Sequence, residues 1–186
     1  MPSARGRRRT PKPLNRALLE EIALAYVARF STTAAKLDRY LKRKLRERGW
    51  EDSDQPPTEA MVARYVELGY VDDEGFARAK TGSLLRRGYG ERRVRQSLAQ
   101  AGVAEEVREK MRPGEAAARR AALTLARKRR FGPFGSGSFD KPLREKQIAT
   151  MLRAGHTLDN ARQIVDAASV AEADAWAAEA AEDQEW

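Results

Sequence analysis

The chain of 186 residues is 41% hydrophobic and 34% charged, and 36 Lys and Arg outnumber 27 Asp and Glu for a net charge of +9. The lack of cysteine and the single histidine, His156, exclude disulfides, thiol catalysis, thiolate metal sites and multi-histidine centres. No uncharged apolar run approaches the roughly 18 residues of a membrane span, so a cytoplasmic protein with no membrane contact and no cofactor is expected.

Charge is unevenly placed, at net +10 over residues 1–50 and −7 over residues 166–186. Two such ends engage partners independently, or each other. Residues 1–13 set Pro2, Gly6, Pro11 and Pro13 among arginines with too little apolar surface to order themselves, which predicts a flexible basic arm. Asn15 then caps a predicted helix with Leu18, Ile22, Tyr26 and Phe30 at helical spacing. Thr33 caps the next, which carries Leu37, Leu41 and Leu45 and ends at Gly49. A polar loop runs from Glu51 to Pro57, and Thr58 is expected to cap a helix through Met61, Val62, Tyr65, Val66 and Leu68 that stops at Gly69.

The densest local signal follows. In Gly69-Tyr70-Val71-Asp72-Asp73-Glu74-Gly75-Phe76, Gly69 suits a left-handed helix end, Asp72 an N-cap, and Asp73 and Glu74 a helix start where the dipole favours negative charge. Val71 and Phe76 have the spacing of a hydrophobic staple. The next helix reaches about Arg87, Gly88-Tyr89-Gly90 forms a turn, and a further helix presents Val94 and Leu98 before Gly102. Pro113-Gly114 breaks the chain ahead of an Ala-rich helix over 115–130, and 131–141, rich in Gly and Ser, is predicted to be an exposed loop. A last helix pair carries Ile148, Met151 and Leu152, then Ala161 and Val165, and the second helix has the composition to continue into the acidic tail. No segment alternates as a strand does.

The chain also repeats itself. Leu85 to Gly90 with Val94 and Leu98 superposes on Leu152 to Thr157 with Ala161 and Val165 at an offset of 67, and Thr33, Leu37 and Leu41 fit the same frame. The fold class expected is therefore all-α, three tandem three-helix repeats in an elongated, curved stack. The boundaries are an arm at 1–13, repeats at 14–69, 70–113 and 114–168 (the third including the 131–141 loop), and an acidic tail at 169–186.

The run Leu68 to Ala79, followed by Leu85-Arg86-Arg87-Gly88-Tyr89-Gly90-Glu91-Arg92-Arg93-Val94-Arg95-Gln96-Ser97-Leu98, strongly resembles the RecX family of bacterial recombination regulators. The resemblance covers roughly residues 15–168, with the flanking units weaker than the centre. It departs at Arg29-Phe30, where the first unit lacks the usual two adjacent arginines. It implies a non-enzymatic protein of DNA repair and the SOS response that binds the RecA recombinase and its nucleoprotein filament as a monomer, inhibiting recombinase, ATPase and co-protease activities.

Basic clusters beside helix ends are the candidate RecA or DNA contacts: Lys42, Arg43, Lys44, Arg46 and Arg48, then Arg86, Arg87, Arg92, Arg93 and Arg95, then Arg127, Lys128, Arg129 and Arg130. Cations there also complement the helix dipole, so position alone does not establish an interface. Gly69, Tyr70, Asp72, Asp73, Phe76, Gly88, Tyr89 and Gly90 read as the structural residues of the family motif, with the aromatics packing at corners rather than stacking on bases. Asp72 and Asp73, adjacent at a helix start, do not converge as a catalytic acid and base. The alternative to a RecA regulator is a helix-turn-helix DNA-binding protein acting without RecA; weak single- or double-stranded DNA contact through the basic patches is compatible with both.

Overall fold

A computed structural model of the chain describes residues 12–136 and 140–182. The arm up to Pro11, part of the 131–141 loop and Trp186 lie outside the described residues. All regular structure within them is helical, apart from one isolated parallel bridge. The chain divides into two compact units, Met1–Asp73 and Glu74–Trp186.

In the first unit, α1 (Arg16–Arg29), α2 (Ala34–Arg48) and α3 (Thr58–Glu67) enclose Leu14, Leu19, Ala23, Leu37, Leu41, Met61, Tyr65 and Val71. Both expected caps form: Asn15 Oδ1 accepts from the Leu18 amide at 3.0 Å, and Thr33 Oγ1 accepts from Lys36 at 3.2 Å. Leu14 is tied into the unit by its own amide donating to the Gly49 carbonyl and its carbonyl accepting from Glu51. Two details differ from the pattern in the sequence. The centre of α1 is Leu19 and Ala23, with Leu18, Ile22 and Tyr26 at the margin and Phe30 54% exposed, because apolar residues surround this helix and spacing cannot choose its face. Thr58 is the first helical residue and Pro57 holds the cap position without a side-chain hydrogen bond.

The Gly69 corner forms as expected, with φ +73° at Gly69 and the Val71 amide donating to the Tyr65 carbonyl. Helix α4 (Asp73–Arg86) begins directly after Asp72. Asp73 does more than start it: its Oδ1 accepts from the Ala34 amide at 2.8 Å and so caps α2 as well. Val71 is buried in the first unit, and Phe76 is half-buried against the α4 and α5 core.

In the second unit, α4, α5 (Glu91–Ala101) and the short α6 (Glu105–Lys110) gather around Ala77, Leu84, Val94, Leu98, Ala101 and Val103. The sequence pattern did not single out α6, which buries no residue fully. Helices α7 (Glu115–Arg129), α8 (Lys141–Arg153), α9 (Leu158–Asp166) and α10 (Val170–Glu182) form a further core centred on Leu125, Ala126, Met151, Ile164 and Val165. The segment after α7 is not simply an exposed loop: Gly132–Phe134 is a 3-10 turn, and Phe131 and Phe134 pack on this core. Nor does α9 run on into the acidic tail. The chain breaks at Ala167, and α10 starts at a cap in which Ser169 Oγ accepts from the Glu172 amide while the Glu172 carboxylate accepts from the Ala168 amide. Ala173, Ala177 and Ala180 of α10 are buried, and α10 packs on α7.

The two corners that superpose in the sequence lock together in this unit. Gly90 donates to the Ala154 carbonyl at 3.0 Å, the Arg92 amide donates to Gly155 at 3.1 Å, and His156 Nε2 lies 2.9 Å from the Gly88 carbonyl. The approach leaves no room for a side chain, since a Cβ on Gly90 would stand 2.3 Å from the Gly155 carbonyl oxygen.

Candidate functional site

The basic residues singled out in the sequence occupy several helix surfaces, and their surroundings differ. On α2, Lys42 pairs with Asp38 at 3.0 Å, while Arg43 and Lys44 share Glu47 at 3.6 and 2.7 Å. The hydrogen bond from Lys44 holds the Glu47 carboxyl below the usual carboxylate range. Arg46 is exposed, and Arg48 is spent on the chain itself, its Nε donating to the Lys12 carbonyl.

Between α4 and α5 the structure brings Arg87 and Arg93 around one ring, at 5.2 and 6.0 Å from the Tyr89 centroid. Arg86 is exposed at the end of α4. Arg92 differs, donating to the Leu152 carbonyl and bracing the interlocked corners. Arg95 points to α6, where it pairs with Glu105 at 2.6 Å and Glu109 at 3.2 Å, and its hydrogen bond holds the Glu105 carboxyl below the usual range. At the end of α7, Arg127 grips both carboxylate oxygens of Asp174 on α10, at 2.5 and 2.6 Å, leaving Lys128, Arg129 and Arg130 exposed.

The motif residues separate by role. Gly88 and Gly90 are buried at the interlocked corners, and Tyr89 is half-buried between its two arginines. Tyr70 does not pack as a corner aromatic should: it is 55% exposed, with its ring 5.7 Å from that of Tyr65. His156, which replaces Tyr89 in the repeat, is buried, and burial pushes its imidazole below the usual histidine range despite the Gly88 hydrogen bond. The Gly88 carbonyl can only accept, so Nε2 carries the proton, and Nδ1 is buried with no partner among the described residues. Among those residues no three His, Cys, Asp or Glu are placed to hold a metal, and no helix is long and apolar enough to cross a membrane.

Composition alone did not reveal the side chains that share the α2 surface with the candidate cations. Tyr26 and Tyr40 stack at 4.1 Å with an interplanar angle of 16°, and Arg43 lies 5.4 Å over Tyr40. Lys36 and Arg39 join Arg43 and Arg46 around these rings. A signal existed, because positions 36, 39, 43 and 46 follow the three-and-four spacing of one helix face.

A family model described as the second three-helix domain of RecX matches residues 72–111, the segment that forms α4, its turn, α5 and α6. The regulatory protein RecX of Myxococcus xanthus (strain DK1622) is 33% identical over 166 residues, spanning 84% of this chain and 88% of that protein. The chain belongs to the RecX family. RecX of Vibrio parahaemolyticus serotype O3:K6 (strain RIMD 2210633) is 31% identical over 119 residues, 64% of this chain and 74% of that one. The fold agrees at lower identity: the crystal structure of RecX from Lactobacillus salivarius superposes with a TM-score of 0.63 at 16% identity, covering 81% of this chain and 96% of that one. The all-helical class expected for a RecX regulatory protein is thus the observed one.

Proposed function

We propose that this RecX family protein binds the RecA recombinase and its filament on single-stranded DNA, and lowers recombinase, ATPase and co-protease activity as a cytoplasmic monomer without catalytic chemistry of its own. The observation that carries the reading is the 33% identity to a regulatory protein RecX across 84% of the chain. The Tyr89 surface supports it: Arg87 and Arg93 are exposed beside a half-buried ring and Arg86 is exposed at the end of α4, an arrangement suited to acidic protein surface or to phosphate. The helix-turn-helix alternative finds less support at α5. A recognition helix offers its first turn to the groove, whereas here the Arg92 amide and side chain bond to Gly155 and Leu152.

The test is RecA-dependent ATP hydrolysis on single-stranded DNA with the wild-type protein and with Arg86, Arg87 and Arg93 replaced by Ala. Inhibition by the wild type and its loss in the triple variant, at unchanged melting temperature, is the expected result, since exposed charges contribute little to folding. Arg92 is left in place because its loss would disturb the corners. Wild-type protein that leaves RecA turnover unchanged refutes the reading, and full inhibition by the variant moves the interface elsewhere.

A further inference from the structure

We propose that the hollow between the end of α7 and one face of α8 binds the polyphosphate group of a small ligand, held by Arg129, Arg130 and Lys146. This goes beyond the RecA reading, and its test contains no RecA, so the two succeed or fail separately.

The hollow is open to solvent and holds about 380 Å³. Arg129, Arg130 and Phe131 line it from the end of α7, and Lys146 and Gln147 from α8, with no carboxylate among the described residues around it. Its walls are fixed by the fold: the Phe131 amide donates to the Ala126 carbonyl at 2.9 Å, and the Gly132 amide donates to Gln147 Oε1 at 2.8 Å. Gln147 is buried, and because an amide N–H can only donate, its oxygen is the bonded atom and its NH2 group is left to donate. The cations here differ from Arg43, Lys44, Arg95 and Arg127, all of which have carboxylate partners. Arg129, Arg130 and Lys146 are exposed, and their side chains have no ion pair or hydrogen bond among the described residues.

The backbone at Arg130 is a second observation. Its φ of +57° and ψ of +50° are left-handed, and every other positive-φ position among the described residues is glycine. A side chain is strained there relative to glycine, and this one finds no polar partner in the fold to offset the strain. A cation placed where glycine would serve the turn better is accounted for by a ligand that meets it.

Three like charges around one small hollow repel each other, and a compact anion of several charges relieves that repulsion. A carboxylate side chain brings a single charge. A di- or triphosphate concentrates several in the same volume, and the arginine fork matches phosphate oxygens in pairs. A nucleic-acid strand instead spreads its phosphates along a backbone, so few can enter a hollow of this size. The Phe131 and Leu143 side of the hollow is apolar and can carry an attached organic group such as a nucleoside.

The experiment is isothermal titration calorimetry of the full chain with tripolyphosphate and with ATP, at low salt and without divalent cations. One ligand per chain is expected, and Arg130→Gly is expected to weaken tripolyphosphate binding about tenfold or more while the melting temperature stays equal or rises. Arg129→Gln and Lys146→Gln should weaken binding in the same direction, and Lys128→Gln, at an exposed residue outside the hollow, should not. Tighter binding of ATP than of tripolyphosphate supports a nucleotide as the source of the group, and equal affinity supports inorganic polyphosphate. The absence of saturable tripolyphosphate binding overturns the proposal, as do unchanged affinity or a lowered melting temperature in Arg130→Gly and an equal loss in Lys128→Gln. Displacement by citrate, or by an oligothymidine with hydroxyl ends, as effective as by tripolyphosphate also overturns it.

Discussion

Replacing Gly90 by Ala tests the interlocked corners most severely. The backbone there is extended, with φ −84°, so alanine meets no conformational penalty, and any effect comes from the neighbours. The added Cβ would lie 2.3 Å from the Gly155 oxygen and 2.4 Å from the His156 nitrogen, both backbone atoms that no rotamer change can move. Restoring an ordinary contact requires a separation of about 1 Å, which stretches the 3.0 and 3.1 Å bonds from Gly90 and Arg92 beyond hydrogen-bonding range. Overpacking costs about 1–3 kcal/mol, and two backbone bonds about 0.5–1.5 kcal/mol each, so a loss of about 2–6 kcal/mol is expected. At about 2–4 °C per kcal/mol for this chain length, the melting temperature should fall by roughly 4–24 °C. Gly82→Ala is the internal control with the opposite sign. Its Cβ would meet only the end of the Arg86 side chain, at 3.0 Å, and in a helix interior Ala is favoured over Gly by about 0.5–1 kcal/mol. Scanning calorimetry of the two variants decides the matter: Gly90→Ala melting within about 1 °C of wild type would show that the corners do not interlock as described.

Three further outcomes follow from single contacts. Because burial lowers the folded-state pKa of His156, the unfolded chain binds its proton first, so stability should decline as pH falls below about 6.5, by at most about 1.4 kcal/mol per unit, and level off below the depressed folded value. Urea titrations between pH 7.5 and 5 read this slope, and His156→Gln should remove it; an equal slope in the variant assigns it to other groups. Asp73→Ala should cost about 0.5–2 kcal/mol through the lost cap on Ala34, while Asp73→Asn keeps an acceptor and most of the stability; equal losses in denaturant melts would contradict the capping role. Asp174→Asn should release Arg127 for under about 1 kcal/mol and tighten low-salt binding to an anionic partner, an advantage that shrinks as salt rises; identical affinities at every salt would mean that Arg127 is not withheld by α10.

The legibility of this chain follows the range of the forces involved. Caps at Asn15 and Thr33, the Gly69 corner and the Leu37 and Leu41 stripe were readable because each depends on neighbours within a turn or two. The same holds for the corner segment, whose resemblance to RecX agrees with the match over residues 72–111. What escaped depends on distant partners. Asp73 looked like the start of its own helix because Ala34 is 39 residues away. Phe131 and Phe134 sat among glycines and serines that predict exposure, yet they close a core built by α7 to α10. The acidic stretch after 169 had the composition of a helix, but the break at Ala167 and the burial of Ala173, Ala177 and Ala180 were not visible in its charge. At the candidate site the cations were countable in sequence, but neither their partners nor the Tyr26–Tyr40 stack was.

Those partners change what the net charge means for binding. Arg43 and Lys44 are engaged by the exposed Glu47 three or four residues away on the same helix, pairs that contribute little and open readily when a phosphate or carboxylate competes, whereas Lys42 is paired with the half-buried Asp38. Arg127 is held otherwise, by one guanidinium nitrogen shared between both oxygens of Asp174 on a helix that also buries Ala173 and Ala177, so freeing it means loosening α10 or giving up that contact. Arg92 is bonded to a carbonyl in the corner and Arg95 to two glutamates on α6. Of the three sequence clusters, the cations the fold leaves exposed at helix ends are therefore Arg86 at the end of α4, Arg87 and Arg93 beside Tyr89, and Lys128, Arg129 and Arg130 at the end of α7. A salt slope counted from every arginine in the three sequence clusters would overstate the contacts made, because charges already neutralised by the fold release few counterions on binding.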